Sequence, residues 1–513
     1  MMTLSSSTFF LDEYLDKVIV DDSHSEAQLN FAIKNKLVSA LNLAITKTEY
    51  GSSDWLTISK ELAKTQKNSA LALAYWYQHQ VEQDKQLSKQ AILWFEQAIR
   101  LKSSRAILQL SQYYYQFDKV KKARDLMLTL PDKFTDIDFQ AKTKALLLKI
   151  HIYLGEGSHI HEQLQSLSPE LLSYKELNTL LHDIRRFDIY PDENDILPSV
   201  RSNKDHQHNN KIANCISSVQ LFATNLNNLK YLQSLIKGFK EQQTLASFIC
   251  LPEPKYISSK SIDCIADKKR PITCDETLWK VVKDRVKTRH IGLMLNRGGA
   301  NVHLGILYFD RQDDVNVFSH ELSHLLGFVD EYALVKEHTI CQRAQINTFA
   351  HNIAIIPDKY RGNRDSVREK VLASIPWAKL IKEETRILQL VEGEQGNNPL
   401  WELGTPEQYI GEVGVFKAET CQLSVSPFTD DIFAFKPLHE HTLLRSLSSQ
   451  FPETYLKLLK AKASSYLMPS YYYNIALGFY HKGDMSEARL WLKLAASWET
   501  DIARTERILT GSF

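Results

Sequence analysis

His320-Glu321-Leu322-Ser323-His324-Leu325-Leu326-Gly327-Phe328-Val329-Asp330 is the stretch on which the reading of this chain turns. Asp313 and Asp314 precede it where acidic side chains favour a helix N-terminus, so the stretch is expected on a helix. Positions i and i+4 of a helix project from one face about one turn apart. His320 and His324 can therefore offer two ring nitrogens to one zinc ion at about 2.0–2.1 Å. Glu321 lies beside that face, placed to take a proton from an activated water rather than to bind the ion. Gly327 can adopt positive φ, end the helix and turn the chain back, which brings Asp330 in as the third ligand. Three protein ligands with one open position define a catalytic rather than a structural zinc site. Glu331 and Glu337 are the other acidic candidates for the third place. His338, His351, His439 and His441 read as ordinary surface or core histidines. A bare His-Glu-x-x-His arises by chance in roughly 3% of chains this long; the added Gly and Asp lower that to roughly 0.1%, so the extended motif carries weight.

Outward from the motif the pattern is mixed. A strand over 215–223, a helix over 229–240 and a strand over 245–251 come first. An amphipathic helix over 276–287, an apolar strand over 290–295 and a Gly-containing turn over 296–300 follow. An edge-like apolar strand over 302–309 then leads into the motif helix. That order is expected of an α+β zincin catalytic domain, placed at 212–436.

The first 190 residues read as helix after helix, rich in Ala, Leu, Lys, Gln and Tyr. Leu110-Ser111, Tyr114-Tyr115, Ala123 and Met127 stand at the same offsets as Ile475-Ala476, Phe479-Tyr480, Ala488 and Leu492. That frame resembles the tetratricopeptide repeat, in which small residues let two helices approach and aromatics fill the space between neighbours. A degenerate copy runs from Leu73-Ala74-Tyr75 to Ala91, Phe95 and Ala98. Residues 191–211 are polar and aperiodic, a linker, and 437–513 form a C-terminal segment of the same helical type. Such repeats can carry a protein partner.

The 513 residues hold 62 basic and 61 acidic side chains with no long run of one sign, which excludes an electrostatic case for nucleic acid or an anionic membrane. No stretch approaches the ~20 apolar residues of a membrane span. Phe9-Phe10-Leu11 runs straight into Asp12 and Glu13, unlike a signal peptide. The six cysteines all lie between 215 and 421, so disulfides and buried thiols are both open readings, and no Cys-x-x-Cys is present. Disulfides point to the periplasm or the exterior; an N-terminus complete as given points to the cytoplasm.

Asp330-Glu331-Tyr332 resembles the Asp-Glu-Tyr of the bacterial IgA-peptidase-type zinc metallopeptidases, a metzincin-like family. Asn296 and Gly298-Gly299, then Ala350, Asn352 and Trp377, then Gly411, Gly414, Val415, Phe416 and Cys421 resemble further parts of its pattern. His351 stands where Pro is usual. Leu423 stands where the family has the methionine beneath the metal, and Met468 is the other candidate for that place. The resemblance implies a zinc-dependent peptidase with Glu321 as general base and His320, His324 and Asp330 as ligands. A peptide or protein substrate would lie antiparallel to the edge strand near 302–308; the sequence names no oxyanion donor, a tyrosine or histidine of the 410–472 region being the candidate. The competing expectation is a repeat scaffold that binds peptide or protein, its zinc domain inactive or structural.

Overall fold

The structure, a computed structural model, describes residues 13–14, 17, 26–80, 89–131, 134–189, 215–267, 270–335, 338–341, 345, 347–392, 398–423 and 432–513. The expected linker at 191–211 and Glu337 lie outside these residues. The chain forms two compact units, 1–181 and 182–513.

The first unit is helical. Lys67–His79, Lys89–Arg100 and Ser104–Gln116 pack through Ala70, Leu73, Ala74, Ala91, Phe95 and Ala98, all essentially inaccessible. Alanines at these contacts let the helix axes approach, and Phe95 meets Tyr75 edge-on at 5.8 Å. Side-chain caps fix several helix starts: Ser52 accepts from the Trp55 amide, Ser103 from Ala106 and Asp136 from Phe139. Leu110, Ser111, Tyr115, Ala123 and Met127 are all buried.

The second unit mixes α and β, so the chain as a whole is α+β. Its main sheet is built from β1 (Ser217–Ala223), β2 (Ile249–Cys250), β3 (Lys255–Tyr256), β6 (His290–Leu295), β7 (Asn301–His303) and β8 (Ile306–Asp310). The small pair β4 (Cys264–Ile265) and β5 (Thr273–Cys274) stands apart. The order is β2-β1-β6-β8-β7, with β3 also beside β1. All neighbours are parallel except β7 and β8. Every residue of β1 and β8 is buried, as expected of strands covered on both faces.

One face carries the helix Leu226–Gln242 and the motif helix Val315–Leu325; Phe318 meets Phe239 at 5.5 Å and Phe309 at 5.4 Å. Gly238 admits Val315 where a Cβ would crowd it. A second core joins Phe222, Leu293 and Tyr308 of the sheet to Tyr471, Ile475, Phe479 and Trp491 of the C-terminal helices. Residues 437–513, set apart by their helical pattern, thus share a core with the sheet. Their apolar faces point inward at the strands rather than at further repeats.

Three local readings change. The apolar run 302–309 is a hairpin, because Leu304 and Gly305 take φ of 43° and 91°; the edge strand is only Asn301–His303, antiparallel to β8. A Cβ at Gly305 would meet the Pro469 carbonyl, so the turn depends on glycine. Glu276–Arg285 winds as a 3-10 run, with Trp279 and Val282 three apart on its buried side. Over 245–251 only Ile249–Cys250 is strand; Thr244–Phe248 is 3-10.

All six cysteines pair, as Cys215–Cys250, Cys264–Cys274 and Cys341–Cys421. Among the described residues no helix is long and apolar enough to cross a membrane.

Two buried histidines make the second unit sensitive to acid. His290 accepts from the Ser217 hydroxyl (2.8 Å) and donates to the Met468 carbonyl (3.1 Å). His351 gives one ring nitrogen to the Leu326 carbonyl, and among the described residues its Nε2 has no hydrogen-bond partner. Burial, with Arg289 adding for His290, pushes both down from 6.5 to about 3. Between these values the unfolded chain takes up protons that the folded chain refuses. Stability is therefore fully present above pH about 6.5 and is lost on acidification toward pH about 3, each group contributing about 1.4 kcal/mol per pH unit. His351→Gln is expected to flatten this slope in chemical denaturation between pH 4 and 6; an unchanged slope would refute the assignment.

Candidate metal centre

The motif helix is started by Asp314, whose carboxylate accepts from the Asn316 (2.9 Å) and Val317 (3.0 Å) amides. It ends at Leu325, and Gly327 follows with φ of 91°. A Cβ at Gly327 would overlap the Tyr466 carbonyl, so conformation and close approach both require glycine there. The His351 amide donates to the Gly327 carbonyl (3.1 Å), which fixes the turn from outside.

His320 and His324 project from one helix face. Nδ1 of His320 donates to the Leu443 carbonyl and Nδ1 of His324 to the Phe328 carbonyl, each at 3.0 Å. In the neutral rings those bonds set the tautomers and leave both Nε2 atoms as lone pairs, 3.2 Å apart. Asp330 Oδ1 lies 3.1 Å from His320 Nε2 and 3.3 Å from His324 Nε2.

Three electron-pair donors thus converge in a nearly equilateral triangle, and among the described residues the buried Oδ1 has no hydrogen-bond partner. A tetrahedron with such a face has its centre about 2 Å from each corner, the ordinary zinc–nitrogen and zinc–oxygen distance. The donor set and its spacing fit zinc. The local field also favours a cation. Burial pushes the His324 imidazolium down, but Asp330 and Glu321 outweigh it and raise the group to about 9. Asp330, pushed up by burial, is held well below the usual carboxylate range by His324 and His320. Glu321 is buried beside the triangle without belonging to it, its carboxyl raised by burial against the pull of both histidines.

Asp330 is positioned from three sides. The Thr420 hydroxyl donates to its carbonyl (2.8 Å). Asn352 clamps Val329, accepting from its amide (3.0 Å) and donating to its carbonyl (2.8 Å). The Glu331 amide donates to the Leu444 carbonyl (3.0 Å), one residue from the carbonyl that holds His320. The Cys341–Cys421 disulfide anchors the residue next to Thr420.

Glu331, the alternative ligand, points away from the triangle. Its fully buried carboxylate accepts from Lys436 Nζ (3.0 Å), Asn352 Nδ2 (3.2 Å) and the Tyr455 hydroxyl. It is an anchor. Leu423 is 53% exposed, whereas the Met468 amide donates to the Leu325 carbonyl (3.0 Å), directly after His324. The 466–471 segment therefore runs beneath the motif.

Of the residues matched to the resemblance, Asn296 accepts from Asn225 and Asn228, and Trp377 Nε1 donates to the Gly414 carbonyl; their role is structural. Tyr332 went unassigned in the sequence. Its ring lies 6.2 Å from and nearly parallel to that of His320, and its hydroxyl bonds the Asp330 carboxylate. Its place directly after Asp-Glu was the available signal.

No known protein family, characterised protein or solved structure matches this chain. Its chemistry therefore rests on the site itself.

Proposed function

We propose that the chain is a zinc-dependent peptidase of zincin, metzincin-like type, resembling the IgA-peptidase group, with tetratricopeptide-like helices around it. The observation that carries this reading is the buried triangle of two imidazole lone pairs and one carboxylate oxygen, 3.1–3.3 Å on edge, with a second carboxylate beside it. His320, His324 and Asp330 would hold the ion, and Glu321 stays off it.

Zinc, when bound, supplies Lewis acidity, polarising a carbonyl and bringing the pKa of a water to about 7. The Glu321 carboxylate takes the proton of the attacking water and delivers it to the leaving amine. Burial raises Glu321, which suits a group that must hold a proton between those two transfers. Tyr332, 39% exposed, would present its hydroxyl to a substrate oxygen on leaving the Asp330 carboxylate. The outer edge of β7 would accept an extended peptide by main-chain pairing. Three disulfides suit an oxidising compartment.

Asp330→Ala tests the ligand set. Its zinc affinity, read by competition with a chromophoric chelator, is expected to fall by more than the ~10–100-fold that loss of an outer-shell partner costs. Glu331→Gln tested in parallel keeps its effect within that smaller range. Unchanged zinc affinity in Asp330→Ala removes Asp330 from the site. Full zinc occupancy in the wild type with no cleavage across a peptide library supports the scaffold reading instead.

A further inference from the structure

A second group of metal-ligating side chains lies in the helical unit and is independent of the site at His320. The helix Ile137–Leu154 ends at Gly155, whose φ of 66° turns the chain so that the Glu156 amide meets the His151 carbonyl (2.9 Å). The next helix, Gly157–Gln165, starts at once. His151 in the last turn of one helix, Glu156 in the corner and His159 in the first turn of the next are thereby brought together. Their ligand atoms all lie within 4.8 Å of one another. His151 Nδ1 is 2.7 Å from Glu156 Oε2, and the His151 and His159 rings stack at 5.0 Å with 14° between their planes.

The arrangement has the parts of a metal site. His151 is buried, so an ion held there is shielded from water on that side. Arg124 Nη1 binds Oε1 of Glu156 (3.1 Å) while Oε2 faces His151, so the arginine serves as an outer-shell partner orienting the carboxylate. His159 is exposed and gives an ion a route in. Two imidazoles and one carboxylate, without thiolate, select borderline divalent ions such as zinc, copper(II), nickel and cobalt over calcium or magnesium. From this juxtaposition we infer that His151, Glu156 and His159 form a second, exchangeable transition-metal site that staples the two helices across the Gly155 corner. Closing it requires the exposed His159 ring to rotate its nitrogen toward the other two ligands, and the metal then replaces the His151–Glu156 hydrogen bond.

The test uses the full chain stripped of metal. The wild type is expected to bind two equivalents of zinc by calorimetry, His320→Ala/His324→Ala one, and the triple variant with His159→Ala none. His159→Ala alone binds one equivalent, which gives the same answer with the catalytic centre intact. Copper(II) bound to His320→Ala/His324→Ala should show electron paramagnetic resonance couplings from two imidazole nitrogens, and from fewer once His159 is replaced. Zinc stoichiometry that is the same in the wild type and in His159→Ala, with helical circular dichroism unchanged, overturns the proposal. The cluster is then only a His–Glu–Arg ion-pair network.

Discussion

Glu321→Gln is expected to keep its zinc and lose about 10²–10⁴-fold in peptide hydrolysis, the usual contribution of a positioned general base. The substitution preserves shape and burial, so it removes only the ability to accept a proton. The triangle of His320, His324 and Asp330 does not include Glu321, so metal content is unaffected. Near-normal turnover in Glu321→Gln sinks the assignment of the base. A parallel loss of zinc would instead make Glu321 a ligand.

The second large effect belongs to Glu331, which touches no metal. Glu331→Ala removes the carboxylate opposite Lys436, whose side chain is only 7% exposed, and strands a buried ammonium and the Tyr455 hydroxyl. Breaking such a pair from one side costs about 3–5 kcal/mol. The denaturation transition of the 182–513 unit is expected to move by that amount. Glu331→Met/Lys436→Met removes both charges and is expected to recover most of the stability, because desolvation offsets much of the attraction in a buried pair. The double variant still lacks the Asn352–Glu331 bond beside Asp330, so its zinc affinity stays reduced while its stability returns. Equal destabilisation by the single and double changes would show that packing, not the buried charge, explains the effect.

The candidate site was legible to different depths. His320, Glu321 and His324 follow from the helix repeat, and Gly327 from the need to leave the helix; both are short-range rules. Asp330 and Glu331 are adjacent carboxylates that no local rule separates. They are told apart by Lys436 and Tyr455, 105 and 124 residues further on. The same holds for the methionine: Leu423 stands in the position matched to the resemblance, yet the 466–471 segment runs under the helix. That placement is fixed by Arg289 and His290, both of which donate to the Met468 carbonyl. The run 302–309 looked like one strand because alternation does not reveal a non-glycine residue at positive φ; Leu304 is held there by the turn it shares with Gly305.

The sequence by itself determined the spacing of the two histidines and Glu321, the helical character of the first unit and the strand-to-helix order around the motif. Each depends on residues within one or two turns of each other. Tertiary structure decided which carboxylate faces the histidines, which ring nitrogens are free, where the sheet edge lies and what covers its second face. Those outcomes depend on hydrogen bonds and apolar contacts between segments up to 210 residues apart, such as Arg289 with Glu499. Periodicity carries no record of such pairings.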